Sequence, residues 1–277
     1  MIVSSVIVTS AFALTCWAVG SYPSFFQDIN ADVGLKFYAE RLHLLALKII
    51  NHAMPFNTLI TYVYSLVGFY WVVHCVFGLK KCKPTYPVSP VGLTYISAFS
   101  LMSLLYGPIH LMRIVKQKHT WAVLDQWFTL PFFGLVIHFL LSRTNPKLQL
   151  GKKSLFASVS LSHASYGLAL LHPLGFDLAL AIHILISAIL GYSFYNAKKE
   201  PEIRLLVVKT VLSCAGFVVL KLADFYLAEL HLIFEIFSGH FLSKVCDVMQ
   251  IYYSLLIMEA DLYDSSPQIT EMGQKKK

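Results

Sequence analysis

The last apolar stretch of the chain carries polar residues at a spacing that could support chemistry. His240, Ser243, Lys244 and Asp247 recur at positions i, i+3, i+4 and i+7, which places them on one face of a helix. Ionisable side chains are costly inside a membrane-crossing segment, and there they often mark a functional site. The pattern predicts either a binding or catalytic face or a polar cluster that holds helices together.

A histidine on an earlier apolar stretch raises the question of a metal. A zinc site needs two or three neutral imidazoles or carboxylates on facing helices, and an open position for water. His110 and His240 would supply two imidazoles. The position one turn after His240 holds Lys244, a cation that repels a divalent metal unless it is deprotonated. We therefore predict a hydrogen-bonded polar cluster without a cofactor, and zinc bound by His110 and His240 is the alternative.

The elements that must position these residues follow from the composition. Of 277 residues, 57% are hydrophobic and 13% are charged, and the mean hydropathy is +0.64. These values exclude an ordinary water-soluble domain. Only helices and closed barrels satisfy their backbone groups in lipid, and the alternating pattern of barrel strands is absent. The chain is therefore predicted to be an all-α membrane protein.

Eight stretches approach the roughly 20 mostly apolar residues that a spanning helix needs. They are residues 2–20, 57–79, 91–112, 121–142, 154–172, 174–195, 204–223 and 238–258. We interpret residues 1–20 as a hydrophobic anchor. A cleaved signal peptide is the alternative, because Ala18, Val19 and Gly20 form a small-x-small sequence. Residues 57–258 are predicted to form a seven-helix core.

Two polar segments lie outside these spans. Residues 21–56 are predicted to be a lumenal loop. Within it, Leu35 to Ile50 place apolar residues at helical spacing among charged ones, which favours an amphipathic helix at the membrane surface. Residues 259–277 are predicted to be a polar cytosolic tail.

The distribution of basic residues predicts the orientation. One side of the eight spans collects more than twice as many lysines and arginines as the other, and the richer side is expected to be cytosolic. Arg113 is counted on the poorer side, with the loop that follows the third span. Both chain ends then face the cytosol. We expect an integral multi-pass protein of an endomembrane or the plasma membrane.

The alternating direction of the helices brings four polar residues to one membrane depth. The third span ends near His110, the fourth begins near Asp125, the seventh ends near Asp224 and the eighth begins near His240. All four ends lie on the predicted lumenal side. These residues are therefore expected to lie close together.

Lys244 needs a partner at this depth. A lysine about one turn into a span loses its proton, extends to the membrane surface or pairs with a carboxylate. Asp247, Asp125 and Asp224 are the candidate partners, and we expect pairing. The complete predicted polar cluster is His110, Asp125, Asp224, His240, Ser243, Lys244 and Asp247.

Six separated blocks of sequence resemble one family of membrane proteins. They are MPFNTLITYVYSLVG at 54–68, LLYGPIHLM at 104–112, AVLDQWFTLPFF at 122–133, ASYGLALLHPLGFDLAL at 164–180, LSCAGFVVLKLAD at 212–224 and SGHFLSKVCDVMQ at 238–250. Together they closely resemble the transmembrane protein 187 family. This resemblance implies a multi-pass membrane location and no mechanism.

A weaker resemblance is to the superfamily of alkaline ceramidases and progestin and adipoQ receptors, which are seven-helix proteins with a zinc near one face. The similar positions are Asn57, Thr58, His110, Leu124, Asp125, Asp224, Gly239 and His240. Tyr106 stands where that superfamily has a serine, Lys244 replaces its last zinc histidine and Met54 replaces an acid. The resemblance implies a seven-helix ceramidase-like bundle with an additional N-terminal transmembrane helix and a degenerate metal site.

Three functions remain in competition. We expect a non-catalytic ceramidase-like bundle that binds a lipid or a partner protein, because scaffold positions are kept while two catalytic ones are changed. The second function is a zinc-dependent lipid amide hydrolase, in which His110, His240 and an aspartate hold the metal and Asp125 accepts a proton. The third is a small-solute transporter. Nucleic acid is not an expected partner, because the formal charge of +7 is spread over short loops and forms no patch.

Overall fold

The chain is built from helices, as predicted. A computed structural model describes residues 2–41, 54–78 and 90–264, and within these ranges every regular element is a helix. The helices are α1 (Ile2–Ser21), α2 (Pro55–Val73), α3 (Pro90–Lys116), α4 (His119–Thr144), α5 (Lys152–Ala164), α6 (Gly175–Ala197), α7 (Pro201–Leu222), α8 (Asp224–Leu230), α9 (Ile233–Ile236) and α10 (Gly239–Asp264).

Proline explains the start of two helices, and short helical turns extend two helices. Pro55 and Pro201 lie in the first turns of α2 and α7, where the missing N–H would have no helical partner. A π-helical turn, His74–Gly78, extends α2. A 3₁₀ turn, Ser165–Gly167, and a last helical turn, Leu168–Leu171, extend α5. These extensions lengthen both helices enough to cross a membrane.

Seven of the described helices are long and apolar enough to cross a membrane, namely α2 to α7 and α10, counting the extensions. The shorter apolar helix α1 precedes them and packs against α3 and α4. This arrangement confirms the predicted seven-helix core with an additional N-terminal helix. Many apolar side chains of α6 and α7 point outward, such as Leu185 and Leu212, as expected for helices that face lipid.

The core of the bundle is formed by α2, α3, α4 and α10. Helix α10 packs along α7 and also contacts α2 and α3, while α4 packs against α5 and α6. Gly68 lets α2 approach α3 closely, because a Cβ there would lie 2.7 Å from the Ser100 carbonyl oxygen. Helices α6 and α7 make few contacts with each other. A gap between two helices therefore remains on one side of the bundle.

Residues 21–41 lie across one end of the bundle, which we call the loop end. At this end α3 leads into α4, and α7 leads through α8 and α9 into α10. The Ile29 carbonyl lies 2.8 Å from Nε2 of His119, and Gly34 donates its N–H to Gln117. The segment thus covers the helix ends that carry the predicted polar cluster.

The prediction of an amphipathic helix from Leu35 to Ile50 is wrong for the first part of this segment. A short 3₁₀ turn, Leu35–Phe37, is followed by non-helical chain up to Arg41. The backbone N–H groups of Ala39 and Arg41 donate to Asp224 and to the Glu235 carbonyl. These contacts with distant residues replace the local hydrogen bonds of a helix. Residues 42–50 of this prediction, like the basic residues at 80–83 and 275–277, lie outside the described ranges.

Candidate functional site

The four polar residues predicted to converge all lie buried at the loop end. His110 comes from α3, Asp125 from α4, Asp224 from the start of α8 and His240 from α10. Each side chain is nearly inaccessible to solvent. The structure brings them together in two separate pairs. His110 binds Asp125 directly, and Asp224 binds the backbone at His240.

The first pair is part of a buried triad with Arg113. Nδ1 of His110 lies 2.7 Å from Oδ1 of Asp125, and Nη1 of Arg113 binds Oδ2 of the same carboxylate. Since an ionised carboxylate only accepts, the hydrogen of this bond lies on Nδ1 of His110. Among the described residues, Nε2 of His110 has no hydrogen-bond partner. The triad therefore combines an ion pair between Arg113 and Asp125 with a buried imidazole that has one unpartnered ring nitrogen.

Arg113 is the main residue of the site that the sequence analysis did not assign. Its position in the sequence places it with the charges of the loop after the third span. The structure buries it on α3, where it lies one turn beyond His110 on the same face. The i, i+3 spacing of a histidine and an arginine, followed by an aspartate at the start of the next helix, would have indicated the triad.

The second pair anchors the start of α10 to the start of α8. Asp224 accepts hydrogen bonds from the backbone N–H of Ala39 at 3.0 Å and of His240 at 2.8 Å. Burial raises the pKa of Asp224 above its ordinary value, and these N–H donors oppose that rise. A Cβ at Gly239 would lie 2.8 Å from the Asp224 Cα, so glycine permits this approach. Asp224 thus holds the backbone at the start of α10, where His240 lies.

Another carboxylate, Glu40 of the segment 21–41, holds the start of α2. Glu40 accepts from the backbone N–H of Phe56 at 2.7 Å and of Asn57 at 3.1 Å, and from the Asn57 amide at 2.5 Å. Burial raises the pKa of Glu40 above its ordinary value despite these donors. A carboxylate at a helix N-terminus is stabilised by the unpaired N–H groups there. Glu40 therefore fixes the loop to the bundle.

Lys244 lies near one of its three candidate partners. Its Nζ atom is 3.9 Å from Oδ2 of Asp247, which also accepts a hydrogen bond from the Tyr64 hydroxyl at 2.7 Å. The ammonium group also lies 5.5 Å from the ring centre of Phe217, within cation–π range. Asp125 and Asp224 are engaged by the partners described above. Ser243 donates to the His240 carbonyl of its own helix.

Zinc bound by His110 and His240 stays a prediction, and the surroundings of the two imidazoles bear on it. His110 and His240 each present an Nε2 atom without a hydrogen-bond partner in the described part of the chain. No three His, Cys, Asp or Glu side chains among the described residues are grouped to hold a metal ion. The only acid bonded to either imidazole in those ranges, Asp125, is already neutralised by Arg113, and Lys244 adds another cation. The charge balance suits an anion better than a divalent cation.

A polar cavity opens beside this cluster. It has a volume of about 90 Å³, and His240 is one of its lining residues. Its other lining residues with acidic or basic side chains are Asp32, Arg113, Asp125, Asp177, Lys221 and Lys244. We call this space the polar cavity.

A larger apolar cavity lies deeper in the bundle. It has a volume of about 280 Å³ and runs between α4, α6, α7 and α10. Typical lining residues are Phe132, Val136, Ala188, Gly191, Val211 and Ile251. Tyr106 and Thr129 line both cavities, so the two spaces adjoin. The Lys244–Asp247 pair lies at this boundary, because Lys244 lines the polar cavity and Asp247 the apolar cavity.

Comparison with known proteins identifies similar chains. The TMEM187 protein family matches residues 4–259. Transmembrane protein 187 of Bos taurus is 38% identical over 250 residues, which cover 88% of this chain and 92% of that protein. Transmembrane protein 187 of Homo sapiens is 36% identical over 263 residues, which cover 93% and 92% of the two chains. No solved structure matches. The resemblance to alkaline ceramidases stays a prediction.

Proposed function

The chain belongs to the TMEM187 protein family, and we propose that this multi-pass membrane protein binds an amphiphile inside its helical bundle. The amphiphile has a small polar head and an apolar chain. The proposal selects lipid binding from the functions that the sequence left in competition. It does not require a metal or a chemical reaction.

The observation that carries this proposal is the contact between the two cavities. The polar cavity and the apolar cavity are neighbours that share Tyr106 and Thr129 as lining residues. One space is lined by charged and polar groups, and the other is lined mainly by aliphatic and aromatic side chains. An amphiphile matches both environments at once, since its chain avoids polar contacts while its head keeps them.

The position of the apolar cavity supports entry from the membrane. Residues of α6, including Ala188 and Gly191, form one wall, and residues of α7, including Val211, form another. These two helices make few contacts with each other, and their outer faces are apolar. A lipid chain in the bilayer could therefore pass between α6 and α7 without crossing a polar surface.

The contacts of Asp125 favour binding over amide hydrolysis. A general base must reach the proton that it abstracts and be free to accept it. Both oxygens of Asp125 are occupied, one by His110 and the other by Arg113. In this arrangement each oxygen of Asp125 already accepts a hydrogen bond, and Asp125 holds Arg113 and His110 in place.

Filling the apolar cavity tests the proposal. Gly191 lines this cavity, and a Cβ added there would meet no atom within 4 Å. Gly191→Leu should therefore fill the space without breaking the fold. Gly20 is the matched control, since its Cβ also meets nothing within 4 Å and it lies at the end of α1.

The measurement is the amount of amphiphile that copurifies with each protein, determined by mass spectrometry after extraction. We expect Gly191→Leu to retain about tenfold less than the unmodified protein, because a leucine side chain displaces part of the apolar chain. Gly20→Leu should retain the full amount. Equal retention by both variants, with equal thermal stability, would contradict binding in the apolar cavity.

A further inference from the structure

We infer that the polar cavity binds an oxyanion, a phosphate or carboxylate group, as the head of the amphiphile. This inference rests on the proposed function and adds the charge of the ligand to it. The observations that support it are the balance of charges around the polar cavity and one buried, unpartnered imidazole nitrogen.

Three cations line the polar cavity, namely Arg113, Lys221 and Lys244. Arg113 and Lys244 are buried, and Lys221 is half-buried. Withdrawing such cations from water is costly unless anions compensate them. Lysine and arginine are also the side chains that hold phosphate and carboxylate groups most strongly.

The acids of the cavity do not compensate all three cations. Asp125 is taken by Arg113 and His110. The other two lining acids lie nearer to solvent, because Asp32 belongs to the loop and is half-buried while Asp177 is exposed. In the part of the chain that the structure describes, neither acid lies within 4.0 Å of Lys221. Lys221 therefore lacks the ion pair that its position calls for.

Lys244 also has capacity for a ligand. Its carboxylate neighbour Asp247 is 3.9 Å away and already accepts a hydrogen bond from Tyr64. An ammonium group can donate three hydrogen bonds, and a separation of 3.9 Å is too long for one of them. An oxyanion in the polar cavity would accept these hydrogens.

His240 supplies an independent indication. Its side chain is about 95% buried and lines the polar cavity, yet its Nε2 atom has no hydrogen-bond partner among the described residues. A buried polar atom without a partner costs free energy. In the tautomer that carries a hydrogen on Nε2, a ligand oxygen that accepts this hydrogen would remove the cost. The same ligand would contact the neighbouring ammonium groups of Lys221 and Lys244.

The test compares two probes that differ only in the phosphate. Oleoyl lysophosphatidic acid and monooleoylglycerol have the same chain and glycerol backbone. Their affinities for the purified protein in detergent are measured by native mass spectrometry, and inorganic phosphate is measured as the free anion. We expect the phosphate-bearing lipid to bind about tenfold more tightly than the neutral one, as for a few hydrogen bonds to charged groups.

Variants then locate the effect. Lys221→Gln should weaken lysophosphatidic acid about tenfold and leave monooleoylglycerol unchanged, since removing Lys221 deprives no described carboxylate of an ion pair. Lys209→Gln is the control, because Lys209 is an exposed lysine of the same helix that lines neither cavity. It should change neither affinity.

The outcomes separate this inference from the proposed function. Equal affinity of both lipids, with both weakened by Gly191→Leu, would overturn the oxyanion head and keep amphiphile binding. Failure of both lipids to bind would overturn both proposals. The third outcome is that inorganic phosphate binds as tightly as lysophosphatidic acid and that Gly191→Leu leaves the affinity of both unchanged. The polar cavity would then be a site for a free anion, and the proposal of a lipid head would be wrong.

Discussion

The Nδ1 atom of His110 lies 2.7 Å from Oδ1 of Asp125, across the turn between α3 and α4. Arg113 binds the other carboxylate oxygen. This contact makes Asp125 the centre of a buried triad and leaves the Nε2 side of His110 without a partner among the described residues. The arrangement stabilises the loop end of the bundle and places Arg113 at the wall of the polar cavity.

Asp125→Asn should strongly destabilise the protein. The change leaves the Arg113 guanidinium buried without a counter-charge, and the loss of one partner of a buried pair costs about 3–5 kcal/mol. Thermal unfolding of the detergent-solubilised protein would measure it. Adding Arg113→Met should recover part of the loss, whereas the exposed control Glu229→Gln should have little effect. Strict additivity of the two changes would contradict the triad.

Lys244→Met should destabilise the protein less than Asp125→Asn. Asp247 would lose its cation but keep the Tyr64 hydrogen bond, so we expect a cost of about 1–3 kcal/mol. Combining Lys244→Met with Asp247→Asn should recover part of it, and combining it with Asp224→Asn should be additive. If the Asp224 combination recovered stability instead, the assignment of Asp247 as the partner would be wrong.

Purified protein should carry less than one zinc per chain, because Lys244 stands where a third ligand would be needed. Metal analysis of the protein prepared without chelators provides the measurement. Lys244→His should increase zinc binding, since it exchanges a cation for a third imidazole. Stoichiometric zinc in the unmodified protein that disappears in His110→Ala or His240→Ala would refute this prediction.

Both ends of the chain should face the cytosol, and the loop of residues 21–56 should face the opposite side, because basic residues concentrate on the side of the chain ends. Epitope tags are placed at residue 277 and near residue 30. In selectively permeabilised cells, the first tag should be accessible from the cytosol and the second only from the opposite side of the membrane. If both tags reacted before any permeabilisation, this orientation would be wrong.

The helices and the meeting of His110 with Asp125 could be predicted from the sequence. Lipid restricts spanning segments to regular helices, and alternating helix direction then determines which ends share a depth. This reasoning correctly brought His110, Asp125, Asp224 and His240 to one end. It did not separate them into two pairs, because pairing depends on side-chain directions and on the backbone of residues 38–41.

The remaining features depend on contacts between distant parts of the chain. Glu40 reaches Asn57 from a loop, and no local spacing signals that contact. Arg113 lies at the end of an apolar stretch, where basic residues of the loops are also found. Its sequence context therefore does not indicate that it is buried. The apolar cavity arises because α6 and α7 pack on α4 and α10 more than on each other, and residue periodicity does not report how two helices are separated.

The position of a bound lipid chain shows whether the apolar cavity is the binding site. A single-chain lipid with a photoactivatable group near the end of its chain would be cross-linked to the protein in a bilayer, and the modified residues identified by mass spectrometry. We expect labels on residues that line the apolar cavity, such as Phe132, Ala188 and Ile251. Labels confined to outward-facing residues of the same bundle, such as Leu185 and Leu212, would contradict it.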